Sequence, residues 1–334
     1  MSVSALNLVL QICVAAIFCC EVIMSNPPAS TSCFIKARNH LVENYSEETE
    51  GSWKGSYAFV FAADPQPGLI NQVEQEGNGS NWDREIELMN EAVNAINELD
   101  PLPKFVFLGG DILNAFPGQQ YRDEQYASVQ ASFSRTNKNI PIFVASGNHD
   151  VGNVPTNETR DIYNQEFGDE YYTFWVGGVF YIVIDSQYLF DDSLTPERSA
   201  AQETWFTSVL QKAKNSSCKH VVLFMHIPLF LDNVDEEDNY FSIKKADRVL
   251  LLNKFADAGI KTVFHGHYHR QAGGEWSRTN EDGTEHTIQV VVSSAIGCQL
   301  GNQQSGINIV KVTENNISHT YYPMSEIPQT ISFD

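Results

Sequence analysis

Polar side chains that can bind metal ions follow several apolar segments of the sequence. These segments are rich in Val, Ile and Phe, and the groups after them are carboxylates, amides and imidazoles. The residues are Asp64, Gln66, Asp111, Asn148, His226, His267 and His269. Carboxylate and amide oxygens combined with imidazole nitrogens suit hard or borderline divalent cations. The set therefore predicts a metal site.

Each of these residues also has an ordinary structural explanation when it is taken alone. An Asp at the end of a strand is most often a turn or helix-cap residue, and His226 could be a buried histidine of the core. The pair His267 and His269 is a stronger signal, because alternate residues of a strand point the same way and could share one target. The ordinary explanations would have to hold independently for every segment. We therefore prefer the metal site.

The elements that would position these residues follow an α/β pattern. Apolar segments alternate with amphipathic ones, such as residues 83–100, where Ile86, Met89, Val93 and Ile96 recur at helical spacing. Uniformly apolar strands are typical of sheets that are buried on both faces. Ligands bind at the carboxyl ends of strands in open α/β sheets. The sequence thus predicts one α/β domain whose strand ends meet at a common rim.

Composition narrows the class of partner. The chain has 334 residues, 42% hydrophobic residues and a formal net charge of −21, which together indicate a folded, acidic protein. We expect no nucleic-acid partner, because like charges repel. Phosphorylated molecules are still possible substrates if bound cations invert the local field. The six cysteines include no Cys-x-x-Cys pair, so we expect neither a thiolate zinc site nor a disulfide framework.

The N-terminal segment leaves the localisation open. The apolar stretch 5–20 has the length of a signal-peptide core but lacks a preceding Lys or Arg. It is short and interrupted by Asn7 and Gln11, so we expect no stable membrane span. Cleavage of residues 1–24 would give a secretory protein, whereas translation from Met24 would give a cytosolic one.

The order of the motifs resembles the calcineurin-like metallophosphoesterase superfamily. The motifs are Asp-Pro-Gln at 64–66, Gly-Gly-Asp at 109–111, Gly-Asn-His-Asp at 147–150, His226, and Gly-His-Tyr-His at 266–269. The resemblance extends over residues 54–323, which we assign to a metallophosphoesterase domain. We assign residues 1–24 to a possible signal peptide or apolar leader, 25–53 to an irregular leader and 324–334 to a tail. The resemblance implies a four-layer αββα sandwich with a dinuclear metal centre between its sheets.

The resemblance also implies a role for each motif residue. One metal ion would be held by Asp64, Gln66, Asp111 and His269, and the other by Asp111, Asn148, His226 and His267. Asp111 would bridge, because a carboxylate has two oxygens. His149 would be the general acid, with Asp150 orienting it. Apart from the resemblance, Arg270 follows the histidine pair and is a candidate to bind a phosphate oxygen, although an Arg at the end of a strand is more often a solvated surface charge.

Gln66 departs from the superfamily pattern, which mostly has His at this position. An amide oxygen is a neutral, harder and weaker donor than imidazole, so we expect this site to tolerate Mn²⁺, Mg²⁺ or Fe better than Zn²⁺. The alternative is that Gln66 binds no metal, which would leave a one-metal or inactive site. Pro65 is expected to favour an extended conformation at Asp64.

The implied activity is hydrolysis of phosphoric monoesters with two divalent metal ions (Mn, Fe, Mg or Zn) as cofactors. The substrate would be phosphoserine or phosphothreonine in a protein. A phosphodiesterase or nucleotidase is one alternative, and a non-catalytic scaffold is another, although an intact His149 disfavours the scaffold. The acidic segment 232–238 is a solvated loop or a surface that favours basic phosphopeptides. The resemblance implies a cytoplasmic protein and leaves the oligomeric state open.

Overall fold

We used a computed structural model, which describes residues 32–333. The predicted apolar leader, residues 1–24, lies outside this range, and so does the first part of the predicted irregular leader. None of the helices within residues 32–333 combines the length and the apolar character that a bilayer crossing requires.

Two β-sheets form the centre of the molecule. The first sheet contains, in spatial order, β11 (Ile317–Pro323), β10 (Gly306–Val312), β1 (Tyr57–Ala62), β2 (Val106–Leu108) and β3 (Ile142–Val144). The second contains β4 (Tyr172–Val176), β5 (Val179–Val183), β6 (His220–Phe224), β7 (Ile260–His265), β9 (Glu285–Val292) and β8 (Ala272–Thr279). Strands β1, β2 and β3 are parallel, and so are β5, β6, β7 and β9. The carboxyl ends of the parallel strands of each sheet therefore share one edge.

Most helices lie between the strands along the chain. In chain order they are α1 (Glu47–Glu50), α2 (Leu69–Val73), α3 (Asp83–Glu98), α4 (Arg122–Phe133), α5 (Asn148–Val151), α6 (Asn157–Phe167), α7 (Gln187–Phe190), α8 (Pro196–Asn215) and α9 (Lys245–Asp257). A 3₁₀ turn, Met324–Glu326, follows β11. The sequence prediction missed α6, which begins with a capping box at Thr156.

Three apolar clusters separate four layers. Aromatic rings fill the space between the sheets, where Phe107 of the first sheet stacks on Phe224 of the second with ring centroids 3.7 Å apart. The first sheet packs its other face against α3 and α4, and the second packs its other face against α8 and α9. The predicted αββα sandwich is confirmed. Its strands are buried on both faces, which explains why the sequence shows continuous apolar segments.

The segments before and after residues 54–323 also pack on the sheets. Phe34 is buried, and the N–H of Ile35 donates to the carbonyl of Ile142 at 2.8 Å. At the other end, the N–H of Ile331 donates to the carbonyl of Asp100 at 2.8 Å. Residues 33–53 and 324–333 are thus part of the same compact unit as the predicted domain.

Candidate metal centre

The predicted metal ligands converge between the carboxyl edges of the two sheets. Asp64 and Gln66 follow β1, Asp111 follows β2 and Asn148 follows β3, whereas His226 follows β6 and the other two histidines follow β7. Two groups have potential ligand atoms within 4.8 Å of one another, and they are Asp64, Asp111, His269 and Asp111, His226, His267. Asp111 belongs to both groups. The structure thus brings these side chains together in two sets that share one carboxylate.

Backbone carbonyls orient two of the imidazoles. His226 Nδ1 donates to the carbonyl of Gly109 at 2.8 Å, and His269 Nδ1 donates to the carbonyl of Cys298 at 2.6 Å. A carbonyl only accepts, so Nδ1 carries a proton in both rings, and Nε2 is the nitrogen that is left for a cation. His226 Nε2 lies 3.3 Å from Asp111 Oδ2, and His269 Nε2 lies 3.4 Å from Asp64 Oδ1. Both free nitrogens therefore face the carboxylates.

The imidazole of His267 is hydrogen-bonded through Nε2 instead of Nδ1. His267 Nε2 donates to the carbonyl of Tyr240 at 3.3 Å, which leaves Nδ1 as its free nitrogen. The orientation of this ring therefore depends on the loop that carries Tyr240.

The amide of Asn148 is oriented by its nitrogen. Nδ2 donates to Asn153 Oδ1 at 2.9 Å and to the Tyr240 hydroxyl at 3.2 Å. The Oδ1 atom lies on the other side of the amide, 3.3 Å from His226 Nε2. Hence the oxygen, which is the atom that can bind a cation, belongs to the group around His226.

Gln66 carries a buried acceptor that the protein leaves unused. Its side chain is 1% exposed, and Oε1 has no hydrogen-bond partner among residues 32–333. A buried amide oxygen without a partner is destabilising by about 1–3 kcal/mol. A bound cation would remove this penalty, so the donor set fits a metal site of the predicted kind.

The backbone of the candidate ligands differs from the prediction. Asp64 has φ 53°, so the expected extended conformation before Pro65 is wrong. The N–H of Asp64 donates to the carbonyl of Gly110, and its carbonyl accepts from the N–H of Gly297, both at 3.1 Å. These two contacts hold the left-handed conformation against the local preference that a following proline imposes.

The proposed strand alternation of the histidine pair is also wrong. Strand β7 ends at His265, and both His267 and His269 lie beyond it with left-handed φ values of 70° and 53°. The N–H of His267 donates to both carboxylate oxygens of Asp64 at 3.1 Å. The two rings consequently diverge into different ligand groups.

The charges of the centre are strongly coupled. Burial alone would raise the pKa of Asp111, but the facing His226 and the nearby His149 hold it below its usual value. Burial would lower the pKa of His226, but Asp111 raises it to about 9. The buried carboxylates therefore attract positive charge, and the proton on His226 is the one that a bound cation would displace.

His149 lies beside the ligand groups. Its backbone N–H donates to Asp111 Oδ1 at 2.8 Å, and its ring atom Nδ1 donates to the carbonyl of Asn114 at 2.6 Å. The ring stacks on that of Phe116, with centroids 4.5 Å apart. Because Nδ1 is engaged, Nε2 is the nitrogen that is left for proton transfer.

Asp150 does not orient His149, and that prediction is wrong. The Asp150 carboxylate is fully buried and accepts from the N–H groups of Gly147 (2.9 Å), Ile112 (3.0 Å) and Leu113 (3.2 Å). Successive residues of a helix point about 100° apart, so Asp150 faces the interior while His149 faces the site. Burial and the charge of Asp111 raise the pKa of Asp150 to about 7.

Arg270 lies at the surface next to His269. Its Nε donates to the carbonyl of Leu300, and its guanidinium lies 5.2 Å from the centre of the Tyr268 ring. Binding of a phosphate oxygen by Arg270 stays a prediction.

Tyr240 is a residue of the centre that the sequence analysis missed. Its hydroxyl contacts Asn148 and its carbonyl contacts His267, although its side chain is 47% exposed. It follows the acidic segment 232–238, in which Asp232, Asp235, Glu237 and Asp238 are exposed. The available sequence signal was the aromatic pair Tyr240 and Phe241, which follows that acidic segment after one residue, Asn239.

Comparison with known proteins identifies a matching family and similar relatives. The family model described as calcineurin-like phosphoesterase matches residues 57–271. A protein named serine/threonine-protein phosphatase CPPED1 from Danio rerio is 42% identical over 304 residues, covering 90% of this chain and 96% of the relative. Its namesake from Homo sapiens is 42% identical over 300 residues, covering 89% and 93%.

Solved structures with low sequence identity share the fold. A dimetal phosphatase from Danio rerio superposes with a TM-score of 0.56 at 13% identity, covering 82% of this chain and 98% of its own. The purple acid phosphatase PPD1 from yellow lupin seeds has a TM-score of 0.54 at 12% identity, covering 83% and 52%.

Proposed function

Since the chain belongs to the calcineurin-like phosphoesterase family, we propose that it is a metal-dependent phosphomonoesterase acting on phosphoserine and phosphothreonine in proteins. The observation that carries this proposal is the pair of buried ligand groups that share Asp111. The relatives named serine/threonine-protein phosphatases support the substrate class.

The ligand sets would hold two divalent cations. The first set is Asp64, Gln66, Asp111 and His269, and the second is Asp111, Asn148, His226 and His267. When bound, such a pair of cations supplies a water of lowered pKa and neutralises charge on the phosphoryl oxygens. The amide oxygen of Gln66 favours Mn²⁺, Mg²⁺ or Fe over Zn²⁺ at the first set.

His149 would donate the proton to the leaving oxygen. The Asn114 carbonyl fixes the proton on Nδ1, and the contact with Asp111 fixes the position of His149 relative to the ligand groups. A serine or threonine alkoxide is a poor leaving group, so protonation from Nε2 would contribute most with these substrates.

The variant His149→Ala tests this role. We expect a phosphoserine peptide to lose about 100-fold or more in kcat, because general acid catalysis contributes on that order. The loss with 4-nitrophenyl phosphate should be much smaller, since a nitrophenolate leaves without protonation. Equal losses on both substrates, with metal content unchanged in the variant, would count against the acid role.

A substrate panel tests the reaction class. Phosphopeptides, nucleotides and phosphodiesters would be assayed with defined Mn²⁺, Mg²⁺, Fe²⁺ and Zn²⁺. Faster turnover of diesters or nucleotides would replace the proposed class with that of a phosphodiesterase or nucleotidase. The absence of any turnover, with fewer than two metal equivalents bound at saturation, would indicate a non-catalytic scaffold.

On family grounds we propose a cytoplasmic location, with secretion as the alternative if residues 1–24 act as a signal peptide. N-terminal sequencing of the native protein shows whether residues 1–24 are present. Because translation from Met24 would also omit residues 1–23, detection of the protein outside the cell is the measurement that identifies secretion.

A further inference from the structure

A cavity of about 490 Å³ lies next to His149. The side-chain amides that line it are Gln72, Asn78, Asn114, Gln119, Gln120 and Gln125. Among its lining residues within 32–333, no carboxylate, Lys or Arg is found, although the chain has 42 acidic and 21 basic residues. The cavity is therefore polar but uncharged, in a protein whose surface is strongly acidic.

Hydrogen bonds join the wall of this cavity to the proposed acid. Asn114 accepts from His149 Nδ1 through its carbonyl, and its Nδ2 donates to Gln72 Oε1 at 3.0 Å. The N–H of Asn114 donates to Gln125 Oε1 at 3.2 Å. Because His149 is also among the residues that line the cavity, a group attached to the oxygen that it would protonate lies next to this space.

The lining chemistry matches a peptide backbone. Side-chain amides both donate and accept hydrogen bonds, as backbone N–H and C=O groups do. The wall also keeps one buried acceptor, Asn114 Oδ1, without a partner among the described residues. A phosphate-rich leaving group such as a nucleoside diphosphate would need Lys or Arg, which the wall lacks. A cavity of this volume is within the range of specific ligand sites.

From these observations, we propose that the cavity binds the uncharged peptide segment adjacent to the phosphoserine or phosphothreonine of the substrate. This assignment rests on the proposed function, and it adds a preference for certain residues beside the phosphorylated one. A charged residue entering the cavity would lose water without gaining a counter-ion, so neutral flanking residues are preferred.

Charge introduction at Gln120, which lines the cavity and is exposed, tests the assignment. The variants are Gln120→Lys and Gln120→Glu. The substrates are phosphoserine peptides with Asp, Asn or Lys at each position from three before to three after the phosphoserine. We expect one of these flanking positions to lie in the cavity. At that position, Gln120→Lys should raise kcat/KM for the Asp peptide about threefold over the unmodified protein and lower it by a similar factor for the Lys peptide. Gln120→Glu should do the reverse. Turnover of 4-nitrophenyl phosphate is measured with every variant, and the effects on the peptides are expressed relative to it.

The matched control is Gln211, an exposed glutamine of α8 outside the cavity. Its Lys and Glu variants change the net charge equally and should show no dependence on peptide position. Reciprocal effects at Gln120 alone would support the assignment. Equal effects at Gln120 and Gln211, or none at any position, would overturn it.

A binding measurement separates this assignment from the proposed function. Calorimetry with non-hydrolysable phosphonate peptides of the same sequences needs no turnover. If the unmodified protein hydrolyses no monoester, the proposed function is wrong, and reciprocal changes in Kd at Gln120 would still support the peptide site. Unchanged Kd values across the series would overturn the site even in an active enzyme.

Discussion

Asp64, Asp111 and His267 have φ values of 53°, 50° and 70°, in the left-handed region. Non-glycine residues lose roughly 1–2 kcal/mol each in this region. The penalty persists here because hydrogen bonds from distant segments fix the backbone, as they do at Asp64. The centre thus places its ligands by conformations that the rest of the fold has to stabilise.

We predict that the amide of Gln66 contributes to the affinity of the first ligand set for its ion. We expect Gln66→Ala to weaken binding of one of two ions by about tenfold or more, and Gln66→His to raise the affinity for Zn²⁺ relative to Mn²⁺. Elemental analysis after dialysis and calorimetric titration measure both effects. Gln75→Ala, at an exposed nearby position, is the control. Unchanged binding by Gln66→Ala would show that Gln66 holds no metal.

The hydroxyl of Tyr240 supports the second ligand set. Tyr240→Phe removes one acceptor of Asn148 Nδ2 but keeps the carbonyl that orients His267. One hydrogen bond contributes about 0.5–1.5 kcal/mol, so affinity for one ion should fall by a factor of roughly 3 to 10. Calorimetric titration with Mn²⁺ measures it, with Tyr45→Phe as a distant control. An affinity that equals that of the control would contradict this role.

At the scale of elements, the loops after β2 and β3 are joined by one buried carboxylate. Asp150 at the start of α5 accepts from two N–H groups after β2 and one before α5. It therefore fixes the segments that carry Asp111 and Asn148 relative to one another.

We expect Asp150→Asn to lower the free energy of unfolding by about 2 kcal/mol, because the amide nitrogen leaves buried N–H donors unsatisfied. Urea denaturation measures this change. An unchanged free energy of unfolding, together with a loss of kcat as large as that of His149→Ala, would contradict this structural role. It would indicate instead that Asp150 orients His149.

His220, the first residue of β6, makes the free energy of unfolding depend on pH. Burial lowers the pKa of His220, whose Nε2 donates to the carbonyl of Thr313 at 2.8 Å. As pH falls below about 6.5, the unfolded chain binds a proton at this position before the folded protein does, so folding becomes less favourable. His220→Gln, which keeps a donor, should lose less stability between pH 7 and pH 5. Urea denaturation at several pH values that gives equal slopes for both proteins would contradict this.

At the scale of the whole molecule, the two sheets contribute complementary ligands. The first sheet supplies the carboxylates and amides, and the second supplies the imidazoles. Metal binding should therefore link the sheets and stabilise the fold as a unit.

We expect saturating Mn²⁺ to raise the thermal midpoint by roughly 5 °C over chelator-treated protein, since a ligand at 100 times its Kd contributes about 2.7 kcal/mol. Asp111→Asn should lose most of this response, because Asp111 belongs to both groups, whereas Asp123→Asn on the exposed face of α4 should keep it. Differential scanning calorimetry measures the shift. A full response in Asp111→Asn would show that the ions bind elsewhere.

The alternation of strands and helices could be predicted because buried strands and amphipathic helices leave a periodic pattern in the chain, whereas the four-layer arrangement was implied by the family resemblance. Helix α6 and strand β8 were not predicted from the sequence. The first buries Tyr163 and Phe167 but is otherwise mostly polar, and the second is an edge strand that contains Gly273 and Gly274 and is only partly buried, so both have few apolar residues.

From the order of the amino acids alone one could infer the α/β class, the strand ends that carry the ligands and the residue types of the metal centre. The folded arrangement was needed to establish the left-handed backbone at Asp64 and His267, the nitrogen of each imidazole that is left for a cation, the contacts of Asp150 and the presence of Tyr240 at the centre. Local periodicity reports which side chains are buried. These other features depend on hydrogen bonds between residues far apart in the chain, such as His267 with Asp64. Such contacts exist only once the sheets have packed together.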